Sequence, residues 1–177
     1  KGLYVQGENP AMSDPDQIHS RKALAKLEHL VVQDIFMTET AWNADVILPA
    51  SAHAEKTGTY TNTNRQIQIG RAVVEPPNEV RQDWWIIQEI AKRMGLGWSY
   101  KSPKDIFDEM KLVMPSLDNI SWERLEKDNH VTYPVKSELI PGEDIIFTDG
   151  FPTSNNLAKI VPVNLSKPND ELNSDFP

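Results

Sequence analysis

The segment from Val31 to Pro49, VVQDIFMTETAWNADVILP, limits what this chain can fold into more than any other stretch. Two apolar runs, Val31-Val32 and Val46-Ile47-Leu48, enclose a polar turn with room for one helical turn. Short apolar runs bounded by turn signals read as buried strands, and Pro49 stops the second one. The polar pair Gln33-Asp34 falls where the first strand should end. Upstream, Leu3–Gln6 reads as a short strand broken by Gly7-Glu8-Asn9-Pro10. Asp14-Pro15-Asp16 reads as a helix start, with Asp14 as cap and Pro15 at the first helical position. That helix is expected to run to about Glu28, on the spacing of Ile18, Ala23, Leu24 and Leu27. Strand, helix and strand over about thirty residues form a βαβ unit, which predicts a parallel sheet. Open α/β sheets take their ligands just past the carboxyl ends of their strands. The Gly7–Pro10 turn and the Gln33-Asp34 pair would share that edge.

Beyond Pro49 the pattern changes. Ala50–Asn64 is small and polar and reads as an irregular loop with few packing demands. Gln66-Ile67-Gln68-Ile69 alternates as a half-buried strand does. Asp83–Met94 is the strongest helix signal. It has an acidic start, an apolar stripe of Trp84, Ile87, Ile90, Ala91 and Met94, and Gly95 as stop. Pro103–Met114 is a further helix with Ile106, Phe107, Met110 and Val113 on its apolar face, and Ser121–Lys127 a short one. Ile145–Thr148 and Lys159–Val163 are strand candidates, and Leu165–Pro177 reads as a polar, disordered tail.

Several function classes are excluded. The net charge of −8 does not suit a nucleic-acid surface, which needs clustered Lys and Arg. There is no cysteine, so the chain can hold neither a disulfide nor a cysteine-ligated iron–sulfur cluster. No apolar run approaches the ~18 residues of a membrane span. No signal peptide is evident, and the opening Lys1-Gly2-Leu3-Tyr4 suggests a piece cut from a longer polypeptide.

No catalytic constellation stands out. His19, His29, His53 and His130 share no metal-ligand spacing, and the plain reading of each is a surface histidine. Ser51 lacks the glycine-flanked elbow of a hydrolase nucleophile. Gly-x-Gly-x-x-Gly and Walker patterns are missing, which disfavours a simple nicotinamide-nucleotide or ATP site. Binding residues are better candidates. Asp34 at a strand end can accept from a guanine edge or from ribose hydroxyls, and Asn9 and Ser13 can do the same or reach a phosphate. Against this, Asn9 and Ser13 also fit simple turn and cap chemistry. Lys56 is either a cation for an anionic ligand or a solvated lysine, and Asp83 is most simply a helix cap.

Five blocks carry a resemblance to a known family. They are Tyr4-Val-Gln-Gly-Glu-Asn-Pro10, Val31–Pro49, Ala54-Glu-Lys-Thr-Gly-Thr-Tyr-Thr-Asn-Thr63, Arg65-Gln-Ile-Gln68 and Asp83-Trp-Trp-Ile-Ile-Gln-Glu-Ile-Ala-Lys-Arg-Met-Gly95. In order and spacing they resemble the molybdopterin oxidoreductases of the dimethyl sulfoxide reductase superfamily. The Gln-Asp-Ile-Phe-Met-Thr-Glu-Thr-Ala run is most similar to the catalytic alpha subunit of formate dehydrogenase. A weaker later match begins at Phe151-Pro-Thr153.

The resemblance implies an α/β fold. Residues 1–95 would be the C-terminal half of a Rossmann-like molybdopterin guanine dinucleotide domain with the following loop, strand and helix. Residues 96–164 would be a helical and irregular connecting region, and 165–177 a tail leading to a β-barrel domain outside this chain. It implies a parent with molybdenum or tungsten held by two molybdopterin guanine dinucleotides, and an iron–sulfur cluster outside this chain. The parent would be a cytoplasmic enzyme that oxidises formate to carbon dioxide, and this piece would be inactive alone. Carried over by position, Asn9, Ser13, Gln33, Asp34, Lys56 and Asp83 would contact the dinucleotide; no residue here would be catalytic or bind the metal. Asn64 departs from the glutamate usual at its position and is given no role. Implied partners are the rest of the parent polypeptide and an electron-transfer subunit or domain, an NAD-linked one among the options. Neither nucleic acid nor a membrane span is expected. Rival readings are a nitrate reductase-like sibling, a respiratory-complex scaffold that has lost the pterin, and a free-standing Rossmann-like module. If half a sheet lies elsewhere, apolar surface around Val31–Gln33 and Val46–Leu48 should be exposed, and the isolated piece should self-associate.

Overall fold

The computed structural model describes residues 1–77, 79–166 and 174. Two compact units result, Lys1–Asp144 and Ile145–Pro177. The first opens with three parallel strands in the order β1 (Gly2–Gln6), β2 (His29–Asp34) and β3 (Val46–Pro49). Paired residues in a parallel sheet share a face, and the register pairs Val5 with Val32, Val32 with Ile47, and Tyr4 with Val31. One face therefore carries Val5, Leu30 and Val32, which join Ala11, Leu24 and Ala41 in a core. The opposite face carries Tyr4, Val31 and Gln33.

The crossover from β1 to β2 is two short helices, α1 (Pro10–Ser13) and α2 (Gln17–Leu24). This corrects the expected single helix from Asp14 to Glu28. Pro10 opens α1, and Asp16 rather than Asp14 caps α2 by accepting from the His19 N–H at 2.9 Å. Gly7 leaves β1 with φ of +63°, and its N–H donates to Gln33 O at 2.9 Å. A side chain there would strain the backbone, so glycine fits the turn that swings Asn9 over the carboxyl edge.

A second sheet is antiparallel: β4 (Gly58–Thr61), β5 (Gln66–Gly70) and β6 (His130–Thr132). β4 lies within the stretch expected to be an irregular loop, and Ala50 and Ser51 are buried there. The alternation of β5 is as expected, with Ile67 and Ile69 facing inward. They pack with Phe107, Leu117, Ile120, Trp122, Leu125, Val131 and Val135. Those residues come largely from α4 (Pro103–Val113), α5 (Trp122–Asp128) and the segments around them. The Arg65 guanidinium donates to the carbonyls of Tyr133, Glu143 and Asp144, pinning the chain after β6 to the β4–β5 turn.

The remaining long helix, α3 (Asp83–Arg93), buries Ile86, Gln88 and Ala91. Its inward face is thus rotated from the expected stripe, leaving Ile87 and Met94 exposed. Residues 145–166 contain no strand, contrary to expectation at 145–148 and 159–163. Within this unit the Phe147 and Phe151 rings stack at 5.2 Å, and Thr153 Oγ1 donates to Leu157 O at 2.9 Å. The polar tail expected from Leu165 lies, apart from 165, 166 and 174, outside the described residues.

β1 and β3 flank β2 in the sheet, and at its end β3 is also bonded to Arg81, whose N–H donates to Pro49 O at 3.2 Å. Leu3, Val46 and Ile47 are exposed on these flanking strands, but the exposure expected around Val31–Gln33 does not occur, because Val32 and Gln33 lie in the central strand and are buried. The isolated chain is therefore expected to self-associate through strand edges and apolar surface. Analytical ultracentrifugation should show dimers or larger species at micromolar concentration; a monodisperse monomer would refute this.

Candidate functional site

The carboxyl edge of the parallel sheet gathers polar side chains from four segments. Gln33 stands on the face opposite the apolar core, yet it is fully buried. Tyr4, on the neighbouring strand and the same face, donates its hydroxyl to Gln33 Oε1. The amide is thereby oriented so that Nε2 donates to Asp83 Oδ1 at 2.7 Å. Asp83 Oδ2 pairs with the Lys56 ammonium, and both members of the pair are about three-quarters buried, at 26 % and 25 % side-chain exposure. Residues 4, 33, 56 and 83 thus form one continuous chain of hydrogen bonds.

This arrangement explains the Asp83 carboxyl. Burial alone would push its pKa up, but the bonds from Lys56 and Gln33 and the Lys56 charge outweigh that and hold it below the usual carboxylate value. Tyr4 is raised by burial and by the nearby Asp83 charge. Asp83 is not the helix cap that simple chemistry suggests. Gln82 takes the cap position without a side-chain bond, and Asp83 aims at β2 and Lys56. Its charge still favours the helix N-terminus. Nor is Lys56 a solvated lysine.

Asn9 and Ser13 belong to a second group at the same edge. Asn9 Oδ1 accepts from Thr40 N–H at 3.1 Å and from Thr40 Oγ1 at 2.7 Å, while Nδ2 donates to Glu39 Oε2 at 2.7 Å. Asn9 precedes α1 but its side chain caps nothing there. Ser13 Oγ donates to Asn9 O at 3.0 Å, a bond local to α1. Asp34 ends β2 between the two groups, and its Oδ1 accepts from the Ile35 N–H at 2.7 Å. The residues after it, Ile35, Phe36 and Met37, are exposed, Phe36 at 74 %.

Sequence reasoning thus named Gln33, Lys56 and Asp83, which the structure links directly, and Asn9, Ser13 and Asp34, which lie along the same edge without bonding to that trio. It missed Tyr4, Glu39 and Thr40. Strand alternation offered a signal for Tyr4, because a tyrosine on the face of Gln33 has a hydroxyl to place. Glu39 and Thr40 lie in a turn with no periodicity to read.

A cofactor that combines phosphates, flat heterocycles and sugar hydroxyls needs cations, amides, carboxylates and apolar surface together. The edge supplies Lys56, Asn9, Asp34 and the exposed Ile35–Met37 run. Lys56 also lines a shallow hollow together with Thr59, Asp83 and Trp84. Ser51, just beyond β3, is fully buried, and its hydroxyl has no hydrogen-bond partner among the described residues. The donor set fits such a group. No cluster of His, Asp and Glu suited to a metal occurs among the described residues. No helix there is long and apolar enough to cross a membrane.

The chain is 45 % identical over 179 residues to the F420-dependent formate dehydrogenase subunit alpha of Methanocaldococcus jannaschii, covering all of this chain and 26 % of the relative. It is 41 % identical over 172 residues to the probable oxidoreductase YjgC of Bacillus subtilis, covering 96 % of this chain and 17 % of that protein. The chain thus spans about a quarter of the length of the formate dehydrogenase subunits it matches. Among solved structures, the acetylene hydratase of Pelobacter acetylenicus superposes with a TM-score of 0.62 at 27 % identity, over 76 % of this chain and 19 % of the hydratase. The family model described as molybdopterin oxidoreductase matches residues 1–93, more than half of the sequence. The chain belongs to the molybdopterin oxidoreductase family.

Proposed function

We propose that this chain forms part of the cradle for molybdopterin guanine dinucleotide in an enzyme that oxidises formate to carbon dioxide. The observation that carries this reading is the gathering of Asn9, Asp34 and the Gln33–Asp83–Lys56 chain at the carboxyl edge of a parallel sheet. Similarity to formate dehydrogenase alpha subunits supports the substrate. Bound molybdenum or tungsten would supply the two-electron redox chemistry.

This chain's own residues bind and orient. The Asp34 carboxylate, with one oxygen on the Ile35 N–H, can accept from guanine N–H groups or ribose hydroxyls. Lys56 places a positive charge near phosphates, tempered by Asp83. Asn9 offers an amide from the β1 turn, and Ser13 steadies that turn through Asn9 O. Gln33 joins the strand end to Asp83, so that a ligand at either one is felt by the other. The metal ligand, the iron–sulfur cluster and an electron-transfer partner would lie in other parts of the enzyme.

The test is formate-dependent viologen reduction by the full-length polypeptide produced with molybdate, beside a tungstate-grown control. Activity that changes with the metal supports the reading. A protein that carries molybdenum and pterin but ignores formate would be a sibling reductase, and a well-matured protein without pterin would be a scaffold. Asp34→Ala is expected to lower the bound guanine nucleotide per polypeptide about tenfold, the size of a lost hydrogen bond to a charged group. Wild-type nucleotide content in that variant would remove Asp34 from the site.

A further inference from the structure

Thr40 is fully buried in the turn between β2 and β3; its carbonyl accepts locally from the Asn43 N–H, while its hydroxyl and its N–H both serve the β1 turn and the start of α1. Its Oγ1 accepts from the Ala11 N–H at 3.0 Å and donates to Asn9 Oδ1 at 2.7 Å, and its N–H donates to the same Oδ1 at 3.1 Å. A backbone N–H can only donate, so the atom of Asn9 that faces it must be the carbonyl oxygen. A flipped amide would set N–H against N–H in a buried place, leaving donors unpaired. The Asn9 NH2 group therefore points outward, where Nδ2 meets the exposed carboxylate of Glu39 at 2.7 Å.

We propose that Thr40 is a positioning residue of the dinucleotide site, turning Asn9 so that its N–H groups, not its carbonyl, face the ligand. The inference rests on the reading above that this edge binds the dinucleotide. It deepens that reading by fixing the polarity of one contact: the ligand atom that meets Asn9 is an acceptor oxygen, from a phosphate or a base carbonyl. Glu39 now holds the position such an oxygen would take. Its carboxylate is on the surface and gives way without unmaking either Thr40 bond, so the amide stays aimed while its partner changes.

The experiment uses the full-length enzyme loaded in cells. Guanine nucleotide retained per polypeptide is measured by acid release and chromatography at intervals after dilution, with the melting temperature recorded beside it. Thr40→Val keeps the side-chain shape and removes the hydroxyl; it is expected to lose nucleotide about five-fold faster, the size of one neutral hydrogen bond. Thr40→Ser restores retention. Asn9→Ala also loses nucleotide faster, and in that background Thr40→Val adds nothing. A purely structural threonine would lower the melting temperature and add the same loss with or without Asn9, and that result overturns the assignment. So does wild-type retention in Thr40→Val. If Thr40→Val does not fold, Asn9→Asp carries the test. It keeps an acceptor for both Thr40 donors but has no N–H to offer, so rapid loss from a folded protein is expected and wild-type retention refutes the proposal. Wild-type retention in Asn9→Ala would instead bring down the cradle reading at this turn, and the Thr40 assignment with it.

Discussion

Phe107→Ala is expected to lower the unfolding free energy by about 4 kcal/mol, the range seen when a buried aromatic is truncated to alanine. Phe107 is 2 % exposed, and its ring meets Trp122 edge-on at a centroid distance of 6.1 Å. It comes from α4 and belongs to the same buried core as Ile67 and Ile69 of β5 and Leu125 of α5. Removing it opens a cavity that these β-branched and tightly held neighbours cannot close by rotamer changes alone. Urea unfolding followed by tryptophan fluorescence measures the loss. A decrease below about 2 kcal/mol would mean that the site collapses around the change and that the second sheet is less rigidly packed than its burial implies. Because Lys1–Asp144 is one compact unit, the loss should appear as a shift of a single transition. Separate transitions would show that the parallel sheet, which carries the candidate site, unfolds independently of the antiparallel one.

The parts of this architecture that could be read from sequence are those written as local patterns. The β-branched runs at Val31-Val32 and Val46-Ile47 mark β2 and β3, and the alternation of Gln66–Ile69 marks β5. Pro103, Phe107 and Met110 mark α4. What escaped was non-local. β4 is Gly-Thr-Tyr-Thr, with only one large apolar residue, and it is a strand because β5 offers it a hydrogen-bonding edge. β6 is three residues long and forms where Val131 can enter the core across from Ile67. α3 is apolar on more than one side, so periodicity could not choose the buried face. The same division holds at the site. Gln33 and Asp34 were visible because strand ends are visible, and Asn9 because a Gly-Glu-Asn-Pro turn is. That Gln33 would be bonded to Asp83, fifty residues away, depends on the placement of α3, which no local pattern records. The resemblance supplied Asp83 and Lys56 as candidates, and the structure adds the bond between them.

That bond carries the second large effect. Asp83→Ala is expected to destabilise the protein by about 2 kcal/mol. Exposed ion pairs contribute up to about 1 kcal/mol, and breaking a fully buried one costs about 3–5 kcal/mol. A pair three-quarters buried falls between. The loss has two parts, since truncation leaves both the Lys56 ammonium and the Gln33 Nε2 without their acceptor. Asp83→Asn separates them: an amide can still accept from Gln33 but carries no charge for Lys56. The pH dependence follows from the lowered carboxyl. A carboxyl whose folded pKa lies below its unfolded value, about 3.9, favours the folded state at every pH above that value. The contribution disappears as pH falls through the folded pKa, because the folded protein must then take up a proton that the unfolded chain has already bound. The wild-type protein should therefore lose more stability than Asp83→Asn between about pH 4 and pH 2, while the difference between them stays constant above about pH 5. Thermal melts across that range supply the measurement. Parallel curves down to pH 2 would show that the Lys56–Asp83 pair contributes nothing to folding that depends on charge. Convergence of the two proteins at low pH would show that ionised Asp83 holds the start of α3 to the end of β2, and with it one side of the edge where the dinucleotide is proposed to bind.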